Sequence, residues 1–276
     1  MRALLLLLVA WSLVACGGPA GTSRPGNLTE GVRFDSLETY PGAAGQPPGS
    51  VSGLLTLPPG PGPFPVVVML HGCAGLYETH AEWAELVATW GYASLRVDSF
   101  SARGIDEICT DILRPVPRAA DVNGAMAYLQ ARPEIDATRV AVMGWSHGAG
   151  VALQIAAEPG SLRPDLKPGL RSAIALYPYC SRSSQPYRVP LLVLIGDADD
   201  WTPAGICRDM VEYLPPASQP VDLVVYPGAT HSFDCMACNG QYWGHRLVHD
   251  AAAHEDAMVR VHALLDATLG AAAGQP

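Results

Sequence analysis

The chemistry of this chain is most legible at Gly144-Trp145-Ser146-His147-Gly148. A serine on a sharp turn from strand into helix has its Oγ exposed. Glycines two before and two after it let the two elements approach without collision. The helix N-terminus beneath the serine favours negative charge as it develops. The five-residue pattern is common out of context, but here Val140–Met143 reads as a buried strand and His147–Ala157 as a helix. A serine hydroxyl needs a base, and the base needs an acid to orient it. Among eight histidines, His231 lies after the last strand, in Tyr226-Pro227-Gly228-Ala229-Thr230-His231-Ser232-Phe233. From such a loop Nε2 can face the nucleophile while an acid holds Nδ1. The acid is sought in Gly196-Asp197-Ala198-Asp199-Asp200-Trp201-Thr202-Pro203, where three aspartates compete. Acyl transfer also needs donors for an oxyanion. The backbone N–H of His147 is one. The N–H of Cys73, in His71-Gly72-Cys73-Ala74-Gly75, is the other, and His71 is read as organising that loop.

Other clusters carry less. His245 and His249 lie four apart and could share a helix face as metal ligands, yet no third ligand has a matching spacing. Cys235-Met236-Ala237-Cys238 has redox spacing, but a thioredoxin-like motif should open a helix near the start of a chain, whereas this one follows the His231 loop.

These residues need a scaffold, and the chain alternates short apolar runs with helical stretches from about residue 31. Strands are expected at Val51–Leu57, Val66–Leu70, Tyr92–Val97, Val140–Met143, Ala173–Tyr177, Leu191–Ile195 and Val221–Tyr226. Helices are expected at Ala81–Trp90, Ala119–Ala131, His147–Ala157, Ala204–Tyr213 and Asp250–Leu269. The order implies an α/β fold with a mostly parallel sheet covered on both faces. Long loops at Asp98–Pro117 and Phe233–Val248 should shape the pocket.

Half the residues are apolar and 16% are charged, which suits one globular domain over residues 31–270. The net charge of −9 argues against a nucleic-acid partner. Residues 1–15 read as a signal peptide: Arg2 precedes the apolar run Ala3–Ala15, too short for a comfortable membrane span. The run ends Leu13-Val14-Ala15-Cys16, which resembles a bacterial lipobox, so Cys16 is the expected lipidation site and residues 16–30 a flexible tether. Export to the cell envelope follows, with the lipid as the contact to membrane. Six cysteines remain, an even number that suits disulfides outside the cytosol, although six allow fifteen pairings. Loop positions favour Cys73–Cys109, Cys180–Cys207 and Cys235–Cys238, as staples around the rim of the site.

Taken together the pieces resemble the dienelactone hydrolase family of α/β-hydrolases. The resemblance is carried by His71–Gly75, Asp98-Ser99-Phe100 through Arg103-Gly104, Gly144–Gly148, the Asp199–Pro203 turn and Tyr226–Phe233, in the expected order over residues 50–265. It implies the α/β-hydrolase fold and hydrolysis of small esters or lactones without a cofactor. The spacing Gly-x-x-Asp-x-x-x-Pro, familiar in α/β-hydrolases, selects Asp199 as the acid, with Asp200 second. One departure is chemical: the family carries a cysteine nucleophile where this chain has Ser146. A thiol is partly ionised near neutral pH, whereas a serine depends on its base throughout. Substrate identity is therefore not carried over. Arg103 either pairs with a substrate carboxylate, as arginines do in that family, or caps its own loop through Asp106 or Glu107. The expected activity is a carboxylic-ester hydrolase with Ser146, Asp199 and His231 as its triad. The competing readings are a peptidase or polyester hydrolase of the same fold, a non-catalytic binding protein, and a thiol oxidoreductase.

Overall fold

The computed structural model describes residues 26–37, 49–157, 161–166, 169–182 and 185–270. Cys16, the signal segment and the tether as far as residue 25 lie outside the described residues. An eight-stranded sheet is built in the order β1 (Leu28–Asp35), β2 (Ser50–Leu57), β4 (Ala93–Asp98), β3 (Phe64–Leu70), β5 (Ile135–Trp145), β6 (Leu170–Leu176), β7 (Leu191–Gly196) and β8 (Val221–Tyr226). The pairs β1–β2 and β2–β4 are antiparallel, and every pair from β4 to β8 is parallel.

The pattern of β3 explains its central place. All seven of its residues are buried, as a strand covered on both faces requires. Val67 and Met69 pack with α1 (Glu78–Thr89) and α5 (Ala251–Leu269), while Val66, Val68 and Leu70 pack with α2 (Arg118–Gln130). In α5 the buried residues Ala253, Ala257, Val261, Leu265 and Leu269 recur every four positions, a single stripe laid on the sheet. Asp250 starts that helix by accepting the Ala253 N–H at 3.0 Å.

Strand β1 and a two-stranded hairpin went unread in the sequence. Strand β1 begins inside the stretch read as tether. Only Val32 and Phe34 of its eight residues are buried, so it has the weak alternation of an edge strand paired on one side. The second is a hairpin, β9 (Asn239–Tyr242) and β10 (His245–Val248), where an irregular loop was expected. Its turn residues Trp243 and Gly244 both have positive φ, at 50° and 86°. A two-residue turn of that hand matches strand twist, but Trp is an unusual choice for it.

The turn at the end of β5 depends on close approach. A Cβ on Gly144 would lie 2.2 Å from the Gly148 carbonyl oxygen, and one on Gly148 would lie 2.1 Å from the Leu70 oxygen. Helix α3 (His147–Ala157) therefore packs directly on the end of β3 through backbone contact. Gly150, two residues on in α3, has nothing within 4 Å of its missing Cβ. Gly148→Ala should cost about 1–3 kcal/mol by overpacking, whereas Gly150→Ala should be neutral or stabilising by up to about 1 kcal/mol through helix propensity. Denaturant melts of the two variants check this; equal destabilisation would contradict the packing account.

Candidate active site

Ser146 sits at the turn between β5 and α3 with φ of 51°. That left-handed conformation costs a non-glycine residue of order 1–3 kcal/mol and is held by the surrounding packing. Its N–H donates to the Leu176 carbonyl at 2.9 Å, and its own carbonyl accepts from Gly150 at 3.1 Å. The side chain is thereby fixed above the C-terminal edge of the parallel strands.

His231 is 1% exposed and lies on the loop after β8. Its Nε2 is 3.0 Å from Ser146 Oγ, and its Nδ1 is 2.8 Å from Asp199 Oδ2. Asp199 Oδ1 accepts the backbone N–H groups of Trp201 and Thr202 at 2.9 and 2.8 Å, and Oδ2 accepts the Thr202 hydroxyl at 2.8 Å. Burial pushes the Asp199 carboxyl up, but the His231 hydrogen bond and charge, with the Thr202 donors, outweigh it and leave the group below its usual range. An ionised Asp199 requires the proton on Nδ1, so Nε2 presents its lone pair to the serine hydroxyl. The competing aspartates are occupied elsewhere. Asp197 accepts the Gly228 N–H at 2.6 Å, and Asp200 faces His245 at 3.4 Å.

The loop after β3 runs beside the serine, with the Cβ position of Gly72 3.5 Å from Ser146 Cβ. His71 is buried, and its ring Nδ1 lies 2.7 Å from the Gly72 carbonyl while Nε2 accepts the Ser99 N–H at 3.2 Å. That pairing fixes a neutral ring with Nδ1 protonated. Burial first, then the Arg118 charge, holds its pKa well below 6.5. Since the C=O and N–H of one trans peptide point oppositely, anchoring the Gly72 carbonyl also aims the Cys73 N–H. His147 opens α3, so its N–H has no partner within the helix.

Two residues that sequence reasoning missed support this arrangement. Arg118, at the start of α2 and 2% exposed, donates from Nη2 to the His71 carbonyl at 2.6 Å and from Nη1 to His147 Nδ1 at 2.8 Å. One cation thus ties together the two segments whose N–H groups flank the serine. Burial lowers its pKa to about 10, so it stays charged at neutral pH. Asp234 is fully buried and accepts from Trp83 Nε1, Trp145 Nε1 and Tyr177 Oη at 2.8–2.9 Å. Tyr177 in turn packs edge-on against the His231 ring at 4.7 Å. No local motif marks either residue, because each is defined by partners from distant elements.

Arg103 corrects both sequence expectations. Its guanidinium forms a two-pronged ion pair with the buried Asp121 at 2.7 and 2.9 Å and donates to the Ser99 carbonyl at 2.6 Å. Neither Asp106 nor Glu107 is its partner, and Arg103 is not among the residues that line the cavity beside Ser146. A carboxylate one turn into α2 was too far along the chain to be weighed as the partner.

The three expected disulfides, Cys73–Cys109, Cys180–Cys207 and Cys235–Cys238, are all formed. Cys73 and the Cys235–Cys238 pair line the cavity beside Ser146, whereas Cys180–Cys207 is buried in the main core away from it. Among the described residues no cluster of three metal-ligating side chains occurs. His245 and His249 stand in β10 and after it, so they do not share the helix face once considered.

A family model for the dienelactone hydrolase family matches residues 51–269. A Methylorubrum extorquens protein named "Putative carboxymethylenebutenolidase" is 24% identical over 67% of this chain and 68% of its own length. Cutinase 2 of Thermobifida cellulosilytica is 30% identical over 61% of this chain and 60% of its own. The chain thus spans less than two thirds of the cutinase it matches. Among solved structures, dienelactone hydrolase from Anabaena variabilis superposes with a TM-score of 0.58 at 19% identity, covering 86% of this chain and 98% of that one. The dienelactone hydrolase-like phosphotriesterase P91, from metagenomic libraries, superposes with 0.67 at 18% identity, over 88% and 99%. With its eight-stranded sheet in hydrolase order and a family match across most of its length, this chain belongs to the dienelactone hydrolase family.

Proposed function

We propose that the protein is a serine hydrolase that cleaves carboxylic esters or lactones through an acyl-enzyme. The observation that carries the reading is the unbroken hydrogen-bonded line from Asp199 through His231 to Ser146, with heavy atoms 2.8 and 3.0 Å apart. His231 Nε2 takes the Ser146 proton as Oγ attacks the ester carbonyl. The carbonyl oxygen becomes an oxyanion and rests on the N–H groups of Cys73 and His147. Asp199 stabilises the imidazolium, which then protonates the leaving alcohol as the acyl–oxygen bond breaks. Water repeats the sequence on the acyl-enzyme and frees the acid and the serine. No step calls for a cofactor. The cutinases among the relatives favour one second reading, a polyester substrate for the same machinery.

Ser146→Ala should abolish p-nitrophenyl ester turnover, and Asp199→Asn should lower kcat by roughly 10³–10⁴-fold because the wrong ring tautomer faces the serine. Full turnover by either variant would sink the reading. Arg118→Met should lower kcat by about 10–100-fold with KM within about threefold, since its effect runs through oxyanion donors used only in the transition state. A change confined to KM would contradict that role.

Two buried rings, His71 and His80, and the half-buried His147 also give stability a pH dependence. Burial holds His80 at about 3, and burial with the Arg118 charge holds His147 at about 4 and His71 well below 6.5. In the unfolded chain each binds a proton near 6.5, so between pH 6.5 and 4.5 the unfolded state binds more protons than the folded one. Stability should therefore fall on acidification through that window, by up to about 1.4 kcal/mol per pH unit for the fully buried His80 alone. Denaturant melts across the window check the sign; a flat profile would contradict it.

The envelope location and the lipid on Cys16 remain part of this reading. Three disulfides support an oxidising compartment. Cys16→Ser should move the protein from the membrane to the soluble fraction and abolish incorporation of an alkyne-tagged fatty acid. Unchanged partitioning would contradict it.

A further inference from the structure

We infer that the cavity beside Ser146 takes uncharged esters carrying a flat apolar group and rejects esters that bear a free carboxylate. The inference rests on Ser146 being the nucleophile, and it names the substrate class of that site. The cavity is about 240 Å³ and is lined by thirteen of the described residues, none of them Asp, Glu, Lys or Arg. Its walls are aromatic or sulfur-bearing, chiefly Tyr77, Trp201, Tyr242, Trp243 and the Cys235–Cys238 disulfide. The volume lies just under the usual range for drug-sized ligands, about 300–1,000 Å³, so it suits one ring or a short chain rather than a long acyl tail.

The aromatic walls are held in place. Trp201 stacks on His245 with centroids 4.4 Å apart and 11° between planes, and it lies 5.0 Å from the His231 ring. Trp243, at the tip of the hairpin, stands 5.9 Å from Trp201 and is 45% exposed, which puts it at the mouth. The hairpin is pinned to the catalytic loop: Val248 N–H donates to Thr230 Oγ1 at 2.9 Å, and Leu247 bridges to His231. A flat apolar group lying against these indoles gains burial and offset ring contact with little ordering cost.

Among the described residues, a carboxylate entering the same space meets no cation. Arg103 is committed to Asp121, and Arg118 to the His71 carbonyl and His147. Arg182 pairs with Asp209 and stacks over Tyr213. Arg246 adjoins the cavity-lining Leu247 in β10, so strand alternation turns its side chain to the opposite face. Removing an ionised carboxylate from water without a partner is costly. The ionised Asp199 behind His231 and the net charge of −9 add repulsion.

The test uses matched p-nitrophenyl esters with the whole protein, each rate divided by that of hydroxide-catalysed hydrolysis. The pairs are benzoate against 4-carboxybenzoate, and pentanoate against hemiglutarate. In both, kcat/KM should be at least about tenfold lower for the charged member. Trp243→Ala should reduce the preference for benzoate over acetate by at least about fivefold, and Trp243→Arg should narrow the charged-to-neutral gap by a similar factor. Charged members processed as fast as their neutral partners would overturn the inference while leaving the hydrolase reading intact. So would a benzoate preference that survives loss of the indole. Absence of turnover across the whole panel would instead count against the hydrolase reading and take this inference with it.

Discussion

The arrangement depends on one hydrogen bond, the 2.8 Å contact between His231 Nδ1 and Asp199 Oδ2. It decides which imidazole nitrogen carries the proton, and therefore whether Ser146 faces a lone pair or another donor. The carboxylate is able to do this because every oxygen is already satisfied, Oδ1 by two backbone N–H groups and Oδ2 by the ring and the Thr202 hydroxyl. A buried carboxylate without those donors would be driven to take up a proton, and its hold on the ring would be lost. The turn that supplies them, Asp199 to Thr202, follows β7, which is paired in parallel on both sides by β6 and β8, so a rigid sheet fixes the acid in place.

The Ser146 side of the site is set by steric and electrostatic means of a different kind. Strain at Ser146 is sustained by glycines that bring the backbone of α3 against the end of β3. Arg118 then joins the loop after β3 to the first residue of α3 from behind. The cation is buried and costly to desolvate, and the structure spends it on aligning backbone rather than on contacting a ligand. Behind His231, Asp234 fixes Trp145, Trp83 and Tyr177 as one unit, so the residue preceding Ser146 and the ring packed on His231 are tied to the same carboxylate.

Much of this was legible in the sequence, for identifiable reasons. Buried strands such as β3 announce themselves as continuous apolar runs, and the glycines around Ser146 mark a turn with few alternatives. Ser146 and His231 could be singled out by their place after strands, and Asp199 by its spacing to Pro203. What escaped notice were features whose meaning lies in tertiary partners. Arg118, Asp121 and Asp234 are ordinary charges along the chain, and only folding shows that Asp121 receives Arg103 while Arg118 is free to reach His71 and His147. The hairpin carrying Trp243 was read as loop because its turn uses a bulky residue where glycine or asparagine is usual. Strand β1 was lost because an edge strand buries only two of its eight residues.

The central claim is that these groups make residue 146 a nucleophile and not merely a serine on a tight turn. Incubating the protein with a fluorophosphonate and locating the adduct by peptide mass mapping tests it most directly. The account predicts one stoichiometric adduct, on Ser146, whose formation slows by orders of magnitude in His231→Ala. An unmodified Ser146, or modification at the same rate without the imidazole, would contradict it.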